Sequence, residues 1–267
     1  MHTTASDGRC TPARLVARVR EAGLRTISVT DHDTVAALPE IGALCRDAGL
    51  DLVPGIEITA VHAGRDVHVL GYFFDPEEPR LAAFLAEQRA IRIDRVRRVG
   101  RTLAAIGLPV DVEAILAPVL DRPGRSVGRP QIARAMVAQG YVADVDEAFE
   151  RYLGEGKPAA VTREGASPVE VVALVVAAGG VASIAHPGQT QADELLVDMA
   201  AAGMQAIEVH HPDHSGQVSR RYARLAGRLG LASSGGSDYH GDVHGAAVLG
   251  TVLLPEPEFE ALRARKP

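Results

Sequence analysis

Several apolar runs in this chain stop at a histidine or a carboxylate. Ile27, Ser28 and Val29 lead into Asp31, His32 and Asp33; Val53-Pro-Gly-Ile leads to Glu57; and Ser183-Ile-Ala leads to His186. Ile207-Glu-Val leads to His210 and His211, and Ser234-Gly-Gly-Ser leads to Asp238 and His240. His68 opens another apolar run, while His2 and Asp7 lie in a polar, loop-like opening stretch. Imidazole and carboxylate together suit divalent ions such as manganese, iron and zinc, and mixed nitrogen and oxygen donors favour a catalytic site over an all-thiolate structural one. Strands that deliver such groups to one rim of an α/β sheet predict a polynuclear metal site. His62, His214 and His244 sit in turn-like polar stretches and stay outside that ligand set.

The elements that must hold these residues alternate between strand and helix. Thr11-Pro12 supplies an N-cap and first turn, Leu15, Val16 and Val19 an apolar face, and Gly23 a stop. A strand at Thr26–Thr30, a helix to about Ala48 and a strand at Leu52–Glu57 follow, which predicts parallel pairing. Ile58–Val61 and Val67–Phe74 read as a hairpin around Gly64. From Pro79 the period changes to helical, first in one long pattern ending at Gly107 and then in shorter ones. Ser167-Pro-Val-Glu170 is a capping box that restarts the alternation. It continues through strands at Val181–Ala185, Ala206–Val209, Ala232–Ser234 and Val248–Leu253, the last followed by a helix at Glu256–Arg263. No histidine lies between His68 and His186. Residues 1–78 and 166–267 are therefore expected to form a metal-binding α/β domain, and residues 79–165 an all-helical insertion capping its site.

Bulk composition narrows the partners. The chain has 267 residues, is 46% hydrophobic and 23% charged, and carries a net charge of −6, which argues against a generally basic nucleic-acid binder. No apolar run is long enough to span a bilayer and no signal peptide is read at the start, so a cytoplasmic protein without membrane association is expected. Cys10 and Cys45 offer neither a disulfide framework nor paired ligand spacing. Charge is uneven, however. Arg80 to Arg129 holds ten Arg against five acids, a segment suited to a wall that meets an anionic substrate.

The ordered set His2-x4-Asp7, Thr30-Asp-His-Asp33, Pro54-Gly-Ile-Glu57, His68-Val-Leu-Gly71, Ala185-His-Pro187 and Gly236-Ser-Asp-Tyr-His240 resembles the PHP (polymerase and histidinol phosphatase) superfamily. Its TrpH-like metal-dependent phosphoesterases also share stretches similar to Gly128-Arg-Pro130 and Glu208-Val-His-His-Pro212. The resemblance implies a distorted (β/α)7 barrel with an inserted helical subdomain and three divalent ions (Mn, Fe, Zn or Mg) at the carboxyl ends of the strands. It implies one ion on His2, Glu57 and Asp238, a second on Glu57, His68 and His186, and a third on Asp7, His32 and His240. Glu57, Asp238 and His211 would serve catalysis, with a metal-bridged hydroxide as nucleophile, and Arg129 and His211 would contact substrate. The implied substrates are phosphorylated nucleotides, either nucleoside 3′,5′-bisphosphates or the 5′ ends of short RNAs, and no stable protein partner is expected.

Two departures from the family pattern stand out. Met1 occupies the middle position of a His-x-His pair, so the first His and its strand are missing from this sequence and the first metal site is expected to bind more weakly. Gln131 stands where many relatives carry His. Two alternatives remain: a degenerate nucleotide-binding barrel, and a metal-dependent amidohydrolase. The common binuclear amidohydrolase bridges its ions with a carboxylated lysine, and the only interior lysine, Lys157, lies in a turn-like Gly-Glu-Gly-Lys-Pro.

Overall fold

The computed structural model describes residues 1–241 and 248–267, so His244 lies outside the described residues. Helix α1 (Pro12–Glu21) is capped by the Thr11 side chain, which accepts from the Arg14 amide, and it buries Leu15, Val16 and Val19. Strand β1 (Thr26–Val29), helix α2 (Leu38–Ala48) and strand β2 (Asp51–His62) complete the first β-α-β unit. Strand β3 (Arg65–Tyr72) returns beside β2. After the helical insertion come α7 (Pro168–Ala177), β4 (Val181–Ile184), the short α8 (Pro187–Thr190), α9 (Leu196–Ala201), β5 (Ala206–His210), α10 (Gly216–Leu229), β6 (Ala232–Gly235) and α11 (Glu256–Arg263).

The six strands form one sheet in sequence order. β1 and β2 are parallel, β3 runs against both β2 and β4, and β4, β5 and β6 are parallel again. The expected hairpin around Gly64 is present, and the one reversed strand explains how His68, near the start of β3, reaches the same rim as residues at the ends of its neighbours. Two expectations are corrected. β2 does not stop at Glu57; it runs on to His62, pairing with β1 through Pro54 and with β3 from Gly55 onward. Gly55 permits this change of partner because a side chain there would collide with Ser28 and the Val29 carbonyl. Val248–Leu253 forms turns rather than a seventh strand: Gly250 takes a left-handed φ of 82°, and Thr251 folds back through its amide and hydroxyl onto the Val248 carbonyl. The fold is α/β, built on one sheet of six strands among the described residues.

The insertion comprises α3 (Pro79–Ala105), α4 (Val112–Leu120), α5 (Arg129–Ala138), α6 (Val145–Ala148) and a π-helical turn at Phe149–Leu153. It has its own core around Leu103, Leu116, Ile132 and Met136, apart from the sheet's core around Ile41, Ile56, Val69 and Ile184. α3 belongs to both: Leu81 and Leu85 pack with the sheet, whereas Val96, Val99 and Leu103 pack with the insertion. Between them α3 presents Arg92 and Arg95 to a polar seam against β2 and β3. No helix among the described residues is long and apolar enough to cross a membrane.

Candidate metal centre

The eight residues expected as ligands meet at one rim, and Glu57 is their hub. Its Oε1 lies 2.6 Å from His68 Nδ1 and 3.3 Å from His186 Nε2, and those two nitrogens are 3.3 Å apart. Its Oε2 lies 3.2 Å from His2 Nε2 and 3.9 Å from His32 Nδ1. His2 Nε2 is also 3.0 Å from Asp238 Oδ1. On the far side, Asp7 gathers His2, His32 and His240 at 3.6, 3.7 and 3.4 Å. Seven of the eight offer donor atoms in three compact groups: His2, Asp7, His32 and His240; His32, Glu57 and His68; and His2, Glu57 and Asp238; His186 joins none of these, although it lies beside Glu57 and His68. The third group matches an implied ligand set. In the other two, His2 and His32 stand closer to their neighbours' groups than that division supposes.

Supporting contacts explain why these side chains converge. Of the Asp31-His32-Asp33 run, only the imidazole faces the cluster. Asp31 accepts from the Thr3 amide at 2.8 Å, the Thr3 hydroxyl at 2.6 Å and the Ser6 hydroxyl at 2.5 Å, so it ties down the loop carrying His2 and Asp7. Asp33 accepts from the Thr59 amide, Arg92 and Arg163. Asp33, His186 and Asp238 all adopt positive φ, at 51°, 26° and 43°. Non-glycine residues pay for this conformation, and it persists only where surrounding bonds over-determine it. For His186 one such bond comes from Glu208, whose buried carboxylate accepts the His186 amide at 2.6 Å.

His210, the last residue of β5, and His211, just beyond it, part company because successive side chains of an extended backbone alternate. His210 turns away and meets Glu258 of α11 at 3.0 Å. His211 is buried against the cluster, its Nδ1 accepting from the Asp213 amide and its Nε2 3.6 Å from Asp238 Oδ2. His214, outside the expected ligand set, is buried with both nitrogens engaged by backbone: its Nδ1 meets the Val209 carbonyl and its Nε2 accepts from the Gly188 amide, bracing the turn after His186. Sequence reasoning missed this role and that of Glu208; the one local signal was an acid within an otherwise apolar strand.

Electrostatically the cluster demands positive charge. Burial disfavours any ionised group here, yet hydrogen bonds to Asp238 and Glu57 push the His2 imidazole up to about 10. Glu57 likewise pushes His186 up to about 9. At His32 burial wins and the imidazole falls to about 4. Asp7, Glu57 and Asp238 are held well below the usual carboxylate range, Asp7 chiefly by His32, Glu57 by His32 and His68, and Asp238 by the hydrogen bond from His2 and the nearby His211. The buried His2 Nδ1, His32 Nδ1, His186 Nδ1 and His211 Nε2 have no hydrogen-bond partner. Carboxylates short of cations beside imidazole nitrogens short of partners fit divalent ions.

The cluster opens into a cleft of about 200 Å³ floored by Asp7, His32 and His68 and walled by the insertion through Arg92, Arg95, Arg129 and Phe149. Arg129 lies over the Phe149 ring and donates to Asp66 Oδ2 at 3.0 Å and to the Leu153 carbonyl at 3.2 Å. Gln131 joins the two units, accepting from the Gly128 amide and donating to the Ser6 carbonyl at 2.7 Å. Lys157 is exposed on a turn of the insertion and lies on no strand, whereas an amidohydrolase bridge comes from a barrel strand.

Residues 1–106 match the PHP domain family. The chain is 35% identical over 273 residues to a 3′,5′-nucleoside bisphosphate phosphatase of Chromobacterium violaceum, covering 99% of this chain and 95% of that protein. It is 34% identical over 244 residues to a 5′-3′ exoribonuclease of Haemophilus influenzae, covering 90% and 88%. Among solved structures, a candidate metal-dependent phosphoesterase from Bifidobacterium adolescentis superposes with a TM-score of 0.91 at 33% identity, covering 100% of this chain and 94% of that one.

Proposed function

The chain belongs to the PHP-domain family of metal-dependent phosphoesterases, and from that premise we propose that it hydrolyses nucleoside 3′,5′-bisphosphates, with 5′-phosphorylated short RNA as the competing substrate. The observation that carries this reading is the continuity of one cleft from the His and carboxylate cluster to an arginine wall. We place three divalent ions, manganese among them, on His2, Asp7, His32, Glu57, His68, His186, Asp238 and His240. Bound there, the ions would supply Lewis acidity, activating water as nucleophile and offsetting charge on the phosphoryl group.

The chain's own groups do the rest. Glu57 and Asp238 fix the spacing of the surrounding imidazoles. His211 accepts at Nδ1 from a backbone amide, so its proton sits on Nε2 beside Asp238, where it can donate a hydrogen bond that orients Asp238 or a phosphoryl oxygen. Arg129 grips phosphate from the insertion side, and the apolar stretch formed by Val96, Val99, Ile132 and Phe149 receives the nucleoside. Residues 79–165 act as a cap, and the two buried free thiols fit a cytoplasmic enzyme.

The test is hydrolysis of adenosine 3′,5′-bisphosphate and of a short 5′-phosphorylated RNA, with added manganese and metal content measured on the same sample. Phosphate release from the bisphosphate at near three metals per chain is expected. Turnover of RNA alone would replace the substrate assignment, and turnover of neither would sink it.

A further inference from the structure

Helix α10 carries its charge differently from the other helices. Exposed Arg97 of α3 faces Glu113, Arg151 of the π-helical turn faces Glu147, and Arg263 of α11 faces Glu260. α10 holds Arg220, Arg221, Arg224 and Arg228, all exposed, and no acidic residue. The helical repeat sets these four within an arc of about 100°. Among the described residues only Arg221 has an ion pair, with Asp193 of the segment after β4. Like charges three and four residues apart destabilise a helix, so the stripe is not explained by stability.

The same face contains a groove. Arg221, Arg224, Gly227 and Arg228 line it. Gly227 lies inside the helix, where glycine is unfavourable. Its φ is not positive, and a side chain there would meet nothing within 4 Å, so neither backbone conformation nor packing requires it. Bare backbone between arginines lets a ligand approach closely. β5 and β6 are parallel, so α10, which joins them, runs back from the rim. Its cap Ser215 follows His214 directly, and the Tyr222 hydroxyl donates to the Pro187 carbonyl at 3.0 Å, next to His186. The groove therefore starts beside the ligand loops and leads away from the cluster. From Arg221 to Arg228 it runs about 10 Å, enough to face more than one phosphate of a strand. The apolar side of α10, with Tyr222 and Ala226, is used against the sheet, which leaves nothing to enter a lipid surface.

We propose that the arginine groove of α10 is an exosite for single-stranded RNA, holding by its phosphates the part of a chain that extends beyond the nucleotide at the cluster. The exosite goes beyond the bisphosphate reading and does not need the cluster to act, since a nucleoside bisphosphate has no chain to place there. Its contacts are to backbone charge, so binding follows chain length and salt rather than base sequence.

The experiment measures binding to the manganese-loaded protein by fluorescence anisotropy. The probes are a 3′-labelled phosphorothioate RNA of about 12 nucleotides, within the site sizes of single-strand binders, and a trinucleotide of the same chemistry. Wild type should bind the longer RNA about tenfold more tightly at low salt. In the double variant Arg224→Gln, Arg228→Gln that advantage should vanish, and the slope of log affinity against log salt should become shallower by about 1.4, the value for two single-strand phosphate contacts. Arg224→Lys with Arg228→Lys should keep both. Equal wild-type binding of the two lengths, or an unchanged affinity and slope in the glutamine variant, overturns the exosite. So does tighter binding of a polyglutamate peptide of equal charge, which would assign the groove to an acidic protein. Hydrolysis of adenosine 3′,5′-bisphosphate should stay within twofold in both variants; a parallel loss would place the arginines at the cluster and also overturn the exosite. If wild type binds RNA as expected but hydrolyses no bisphosphate, the exosite stands and the bisphosphate reading falls.

Discussion

The rim of the sheet and the seam under the insertion are both built from buried charge, yet they are incomplete in opposite senses. At the rim, Asp7, Glu57 and Asp238 draw protons onto neighbouring imidazoles, and four imidazole nitrogens lack partners. At the seam, four arginines crowd two aspartates and a serine hydroxyl is idle. One region calls for cations and the other for an anion. A phosphate ester lying across both would meet metal charge at one end and guanidinium charge at the other. The contrast also separates two uses of buried ions: the seam pairs hold the insertion against β2 and β3, whereas the rim groups are spent on ligands.

Variants should expose that difference. Asp238→Asn, at the rim, is expected to cost at least about a thousandfold in kcat/KM, the scale of a lost electrostatic stabiliser, together with about one metal equivalent, at little cost in stability; kinetics, elemental analysis and a urea melt on one preparation check all three. Asp33→Ala, at the seam, should reverse the pattern. It leaves Arg92 and Arg163 buried without a counter-charge, so a loss of about 3–5 kcal/mol is expected in urea unfolding. A melt within 1 kcal/mol of wild type would show that the seam is not structural.

Asp66 gives the comparison a pH signature. Burial alone would raise its carboxyl, but Arg95 and then Arg129 pull it down to about 2. A depressed carboxylate stabilises the fold fully above its unfolded value near 3.8, and the contribution drains away as pH falls through the folded value. Asp66→Asn should therefore cost about 2 kcal/mol at pH 7, and the gap to wild type should narrow between pH 4 and pH 2. A gap constant over that range contradicts the ion-pair account. The smallest effect is expected at Gln131→Ala, which removes the bonds to Gly128 and Ser6; about 1 kcal/mol is expected, along with faster amide exchange in residues 3–9.

Chelation tests the rim alone. Removing metal should abolish turnover while leaving a cooperative melt, because the sheet's apolar core does not depend on the cluster. Collapse of the fold on chelation would instead assign the ions a structural role.

Much of this was legible in the sequence because its signals are local. A strand's apolar run and the polar residue that ends it are neighbours in the chain, so His32, Glu57, His186 and Asp238 could be read as rim residues before any fold was known. The capping box at Ser167 and the long period of α3 were equally local. The sequence could not show that β2 continues past Glu57, because the change of partner at Gly55 depends on how closely β1 approaches. Nor could it show that Val248–Leu253 folds into turns, since a short apolar run suits either state. Chain order could not decide which of Asp31, His32 and Asp33 faces the cluster, how His210 and His211 divide, or that Asp33 and Asp66 each serve two arginines from residues 92 to 163. Those assignments depend on side-chain direction and on charges distant in sequence but adjacent in space, and only the tertiary packing fixes them.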